Sequence, residues 1–180
     1  FGTATVAIQE IADEIAGRHK ETREKILPAD SLLNELARHR QQKMTIVFTN
    51  GCFDVLHRGH IEYLKFCRRQ GDVVVLGLNS DKSVRMLKGP GRPINNQDDR
   101  AALLAAMEMI DYVTLFDEPS VLNLIRKVRP DVLVKGEDWA LKGVVGREFV
   151  ESYGGKVALA PFVENKSSST TIEKIKSLET

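Results

Sequence analysis

Two histidines three residues apart, His57 and His60, are the side chains in this sequence best spaced for shared chemistry. On one turn of helix they lie on the same face. Gly59 between them leaves the backbone open to close approach. Ahead of them runs Thr49-Asn50-Gly51-Cys52-Phe53-Asp54, a turn leaving an apolar run, Met44 to Phe48. A strand, a tight turn and a helix start with two imidazoles make a place for an anionic phosphate chain. The first N–H groups of such a helix are free, and its dipole adds about half a positive charge there. Imidazole N–H donors in that position stabilise charge on a bridging phosphate oxygen.

Other readings of these residues compete. Asn50-Gly51 is a hairpin signal, but the next segment has helical rather than strand character. Cys52, His57, His60 and Cys67 could hold zinc, although their spacing matches no common ligand pattern and Cys67 falls on an apolar helix face. The histidines could also be unlinked core or surface residues. Phosphate sites of other kinds are absent: the sequence has no G-x-x-x-x-G-K-[ST] loop and no G-x-G-x-x-G fingerprint. Lys88-Gly89-Pro90-Gly91 is glycine-rich, but its proline removes a donor and it follows a helical pattern. A P-loop kinase or a dehydrogenase is disfavoured.

The elements that must position these residues follow from periodicity. Strands are predicted at 44–49, 72–79, 111–116, 131–134 and 156–160. Helices are predicted from Asp30-Ser31 to about Gln42, on the Ile61/Leu64/Cys67 face, over 101–110 after an Asn96 cap, after Pro119, over 144–153 and over 172–178. A short amphipathic helix carries Ile8, Ile11, Ala12 and Ile15. Alternating strands and helices predict an α/β chain: a Rossmann-like, doubly wound parallel five-stranded sheet with helices on both faces. In such sheets ligands bind beyond the carboxyl ends of the strands. Polar clusters do follow the strands here, at Thr49–Gly51, Asn79–Asp81, Phe116–Glu118, Lys135–Asp138 and Ser167–Thr171.

Bulk properties narrow the function. The 180 residues suit one domain plus a tail, and 42% hydrophobic with 28% charged content is ordinary for a globular chain. A net charge of +1 gives no reason to expect nucleic acid or a membrane as partner. The basic cluster Arg38, His39, Arg40 suits the end of a helix, with a nucleic-acid patch as the alternative. No apolar run approaches the roughly 18 residues of a membrane span. Two cysteines do not make a disulfide framework, and a cytoplasmic setting is expected. The start at Phe1 is expected to be a cut within a longer chain.

The stretch from Thr49 to Asp54, with His57-Arg58-Gly59-His60, resembles the signature of the HxGH nucleotidyltransferases, in particular the cytidylyltransferase-like group. Lys88, Gly91-Arg92-Pro93-Ile94-Asn95, Arg100, Val134-Lys135-Gly136 and Asp138 extend the likeness. Their order and spacing are closest to adenylyltransferase domains for D-glycero-β-D-manno-heptose 1-phosphate, which often follow a ribokinase-like heptose kinase domain. Phe1 to Val6 weakly resembles the end of such a kinase domain. The implied organisation is an N-terminal helical extension over 1–43, the tail of an upstream kinase domain plus linker, and a nucleotidyltransferase domain over 44–180.

The resemblance implies transfer of AMP from ATP, with Mg²⁺ on the triphosphate, to the sugar phosphate, giving ADP-heptose and pyrophosphate for lipopolysaccharide core precursors. It implies His57, His60 and Lys88 as catalytic residues. Nucleotide binding falls to Thr49, Asn50, Gly51, Cys52, Phe53, Gly59, Lys135, Gly136, Asp138 and the Ser168-Ser169-Thr170 turn. Asp54, Asn79, Arg92 and Arg100 fall on the acceptor side. No metal ligands are implied, and a homo-oligomer is expected. Near the serine–threonine turn the usual basic residues are replaced by Glu173, with Lys174 next to it, and by Glu164-Asn165-Lys166, which leaves Lys166 and Lys174 as the candidate substitutes and the source of that charge open. Gly136-Glu137-Asp138-Trp139 also resembles cytidylyltransferases for glycerol 3-phosphate or a related alcohol phosphate, the alternative reading. A nucleotide-binding module without turnover and a zinc-binding interaction domain are the readings from other classes.

Overall fold

The computed structural model describes residues 22–141, 143–161 and 177. Five strands form one wholly parallel sheet: β1 (Ile46–Gly51), β2 (Val73–Asn79), β3 (Tyr112–Phe116), β4 (Val132–Gly136) and β5 (Lys156–Ala160). Their order is β3-β2-β1-β4-β5, the doubly wound arrangement expected. Every residue of β2 is buried, because helices cover both faces of the sheet.

On one face lie α1 (Ala29–Gln41), α5 (Leu122–Val128) and α6 (Arg147–Ser152), packed on Ile46, Phe48, Val73, Val75, Tyr112 and Leu133. On the other lie α2 (Arg58–Arg68) and α4 (Gln97–Ala105), packed on Val47, Val74, Leu76, Leu78 and Val113. Successive residues of β1 and β2 alternate between the two clusters, as strand geometry requires. A further helix, α3 (Asp81–Lys88), leaves the end of β2. No helix among the described residues is long and apolar enough to cross a membrane.

The strands start one or two residues later than the apolar runs predicted, except at Lys156. Helix ends differ more. The first helix begins after Pro28, with no side-chain cap, so Asp30 sits in its first turn instead of capping it. The Asn96 cap is as predicted: its Oδ1 accepts from the N–H of Asp98 and of Asp99. The helix it starts stops at Ala105, short of the predicted Ile110. Pro119 lies in the loop before α5 and not in its first turn. The basic cluster near the end of α1 is structural: Arg40 donates to Val128 O and Arg129 O, and His39 Nε2 lies 2.8 Å from the Tyr112 hydroxyl. The predicted helices before residue 21 and over 172–178 lie outside the described residues, Ser177 aside.

The segment before residue 44 shares the sheet's core. Leu32 and Leu36 are fully buried against it, Leu27 N–H donates to Val113 O at 2.9 Å, and Lys25 Nζ donates to Ile110 O at 2.9 Å.

Candidate active site

Strand order reverses between β1 and β4, and there the sheet comes apart. The β1–β4 ladder holds only two register pairs, Val47↔Val132 and Phe48↔Leu133, whereas β1–β2 holds six. Beyond Phe48 two side-chain bridges replace backbone pairing. On the α2 face, Tyr63 donates to Val134 O at 3.1 Å, and the Thr49 hydroxyl, 2.6 Å away, then donates to Tyr63. On the opposite face, Lys135 Nζ donates to Asn50 Oδ1. The crevice of a doubly wound sheet lies at this point.

His57 caps α2 and His60 is its third residue. The rings stack with centroids 3.9 Å apart, and the His57 N–H donates to His60 Nδ1 at 3.4 Å. That bond leaves the proton of a neutral His60 on Nε2, as a donor. Burial, aided by the nearby charges of His57 and Lys88, pushes His60 down to about 4, so it is neutral at physiological pH. The Phe53 ring packs at 5.1 Å from His60. Gly51 makes room for it, because a Cβ there would sit 2.8 Å from the Phe53 ring.

A cavity of about 450 Å³ opens on the other side of β1, lined by Asn50, Gly51, Cys52, Asn79, Lys88 and Lys135 of the predicted set. Phe116, Pro119, Ser120, Val121 and Trp139 complete much of its wall. Sequence reasoning named none of Pro119, Ser120 or Val121 as site residues; their place just after β3 was the available signal. Lys88 ends α3 at the cavity and is close enough to His60 to oppose its protonation. Lys135 is nearly buried and is pushed down to about 8 by that burial, against the pull of Asp138. Its Nζ stands 5.6 Å from the Trp139 ring centre. Gly136 lets the Asp138 carboxylate fold back over the end of β4, since a Cβ would meet Asp138 Oδ1 at 2.5 Å.

Other predicted residues are spent on the protein itself. Asp54 is buried; burial works to raise its pKa, but the amides of Asn95 and Ile94, with Arg92, hold it below the usual range. Arg92 Nε lies 2.6 Å from Asp54 Oδ2, and the Ile94 and Asn95 N–H groups donate to Oδ1. That pins the 92–95 loop to the end of β1 and leaves Asp54 as loop scaffold. Arg92 Nη2 is buried with no hydrogen-bond partner among the described residues. Arg100 is fully enclosed and reaches only protein acceptors. So Asp54 and Arg100, expected on the acceptor side, do not face the cavity, and the Thr49 hydroxyl is committed to Tyr63. Gly59 is the second residue of α2, beside the histidines. Ser168, Ser169 and Thr170 lie outside the described residues.

The four residues weighed for zinc are not gathered into one ligand set among the described residues. Cys67 packs with Val47 and Val74, its thiol pushed up to about 12 by burial, and no group of three His, Cys, Asp or Glu among the described residues could ligate a metal. Burial also raises the Cys52 thiol, against Lys88, Arg100 and Arg92. Cys52 is therefore a thiol, not a thiolate nucleophile, at neutral pH.

Residues 48–175 match the family described as cytidylyltransferase-like. The chain is 52% identical over 174 residues to the bifunctional protein HldE of Geobacter sulfurreducens, which covers 97% of this chain and 36% of that protein. It is 54% identical over 144 residues to the protein of the same name from Campylobacter fetus, covering 80% of this chain and 31% of that one. The chain thus spans about a third of the length of the curated relatives it matches. Among solved structures it resembles the lipopolysaccharide core biosynthesis protein of Thermoplasma volcanium, with a TM-score of 0.53 and 26% identity, over 68% of this chain and 99% of that one.

Proposed function

The chain belongs to the cytidylyltransferase-like family, and from that membership we propose that it is a nucleotidyltransferase joining AMP from ATP to D-glycero-β-D-manno-heptose 1-phosphate. The products are ADP-heptose and pyrophosphate, for lipopolysaccharide core synthesis. The single observation that carries the reading is the stacked histidine pair at the start of α2, with His60 held neutral, beside the split between β1 and β4 and within electrostatic reach of Lys88. The HldE relatives and the core-biosynthesis structure support the choice of sugar acceptor.

The chemistry needs no general base. A sugar phosphate is already an anion at neutral pH, and its oxygen attacks the α-phosphorus in line. A new O–P bond forms as the bond from the α-phosphorus to the bridging oxygen breaks, and pyrophosphate leaves with the electron pair. The obstacle is the meeting of two polyanions, so the protein's task is to neutralise charge. The Nε2–H of His60 donates to the bridging region as negative charge grows there. Lys88 and Arg92 Nη2 hold the acceptor phosphate, and Lys135 turns from Asn50 to the triphosphate. Mg²⁺ bound with ATP would add to the neutralisation of charge on the phosphates beside Lys88 and Lys135. The triphosphate lies in the crevice between the histidine side of β1 and Lys135, and the sugar in the cavity under Ser120 and Phe116. Ser168, Ser169 and Thr170 are assigned to the β- and γ-phosphates by family likeness alone. An upstream kinase domain, a cytoplasmic location and self-association belong to the same proposal.

The test is a panel of ATP and CTP against heptose 1-phosphate, glycerol 3-phosphate and other sugar phosphates, scored for pyrophosphate release. Turnover with ATP and heptose 1-phosphate alone is expected. Preference for CTP with glycerol 3-phosphate would replace the proposal with a cytidylyltransferase. Nucleotide binding without turnover on any acceptor would replace it with a binding module.

A further inference from the structure

We propose that Arg100 is a positioning residue that sets where Lys88 stands relative to the histidine pair; this rests on the charge-neutralising reading of the cleft. Its side chain is fully buried, so the guanidinium must find its partners within the protein. It does so at four points. Nε donates to Asn95 O at 3.0 Å, Nη1 to Cys52 O at 2.6 Å and to Asn79 O at 2.8 Å, and Nη2 to Asp81 Oδ1 at 2.7 Å. Cys52 follows β1 on the loop that leads to the histidines. Asn79 ends β2. Asp81 opens α3, whose last residue is Lys88.

One cation therefore ties together the histidine loop and the helix that carries the lysine. Gln97, one turn before Arg100 on α4, adds a second tie, its Oε1 accepting from the Asp81 N–H at 3.0 Å. Arg100 carries no free face toward the cavity, so it acts on the reaction only through what it holds. The rigid fork of arginine suits a task of several fixed acceptors, which the single ammonium of lysine cannot reproduce.

The test reads Lys88 through His60. Lys88 and His57 are the charges that add to burial in opposing His60 protonation, with the Phe53 ring packed on the same imidazole. The His60 midpoint is followed by NMR in the wild type, Lys88→Ala and Arg100→Met. Lys88→Ala is expected to raise it, and Arg100→Met to raise it likewise. A folded Arg100→Met with the wild-type midpoint overturns the inference. Kinetics supply a second readout. Arg100→Met is expected to lower kcat about ten- to a hundred-fold, as small misplacements do, with the KM for ATP little changed. In the Lys88→Ala background the same substitution is expected to cost less than about twofold. Losses that multiply across the two substitutions mean Arg100 only stabilises the fold. Should Arg100→Met not fold, Asp81→Ala, which cuts the tie to α3 and leaves the three carbonyl contacts, takes its place in both measurements. A wild type that releases no pyrophosphate overturns the functional reading, while the NMR comparison still decides on Arg100.

Discussion

Because His60 is kept from being a cation, its Nδ1 can accept from the His57 N–H while Nε2 stays the donor. Burial comes first, and the neighbouring charges of His57 and Lys88 follow. Its folded value of about 4 lies below the unfolded 6.5, so the unfolded chain binds the extra proton between those values. The sign follows: His60 costs stability as pH falls from about 6.5 toward 4, and is silent above. In the free protein His60 should titrate far below the ordinary histidine value of about 6.5, and adding ATP should move its midpoint upward, because a polyanion favours the charged ring. His60→Ala should lower kcat about a hundred- to a thousand-fold, with a much smaller effect on ATP affinity. Equal kcat in a folded variant ends the role. Ser120 belongs to the opposite side of β1. Ser120→Trp should raise the KM for the sugar phosphate about tenfold or more, roughly 1.4 kcal/mol of binding, and leave the KM for ATP unchanged. A rise confined to ATP would exchange the two subsites.

At the scale of elements, the sequence disclosed most where local chemistry decides. Val73–Asn79 read as a strand because it is buried on both faces and apolar through most of its length. Asn96 read as a cap because its short amide can take the two N–H groups ahead of it. Asn96→Ala should cost about 1 kcal/mol in denaturant unfolding, and because α4 carries Arg100 and Gln97, activity should fall with it. The start of α1 was hidden, since Pro28 begins that helix without any side-chain cap. The histidine pair was legible from its spacing. The fates of Asp54 and Arg100 were not: their partners lie up to 41 and 48 residues away, and burial decides whether a charge meets substrate or carbonyls. The wall supplied by Pro119, Ser120 and Val121 gave no sign beyond its place after a strand.

At the scale of the whole molecule, the described residues before the expected division at residue 43 are built into the same core as the sheet. Tyr112 of β3 hydrogen-bonds to Glu35 of α1 at 3.1 Å, and Leu36 is fully buried against the sheet. Leu36→Ala should destabilise the protein by about 2–5 kcal/mol, measured by urea unfolding, with one cooperative transition. A separate early transition for this helix would mean that it folds apart from the sheet.

The two-rung junction of β1 and β4 divides the sheet into unequal slabs, β3-β2-β1 and β4-β5, joined mainly by side chains at their functional end. Backbone rungs have one length, whereas a tyrosine hydroxyl and a lysine can lengthen, shorten or let go. The spacing of the two strands at that end is thus set by Tyr63 and Lys135, where the backbone ladder has stopped.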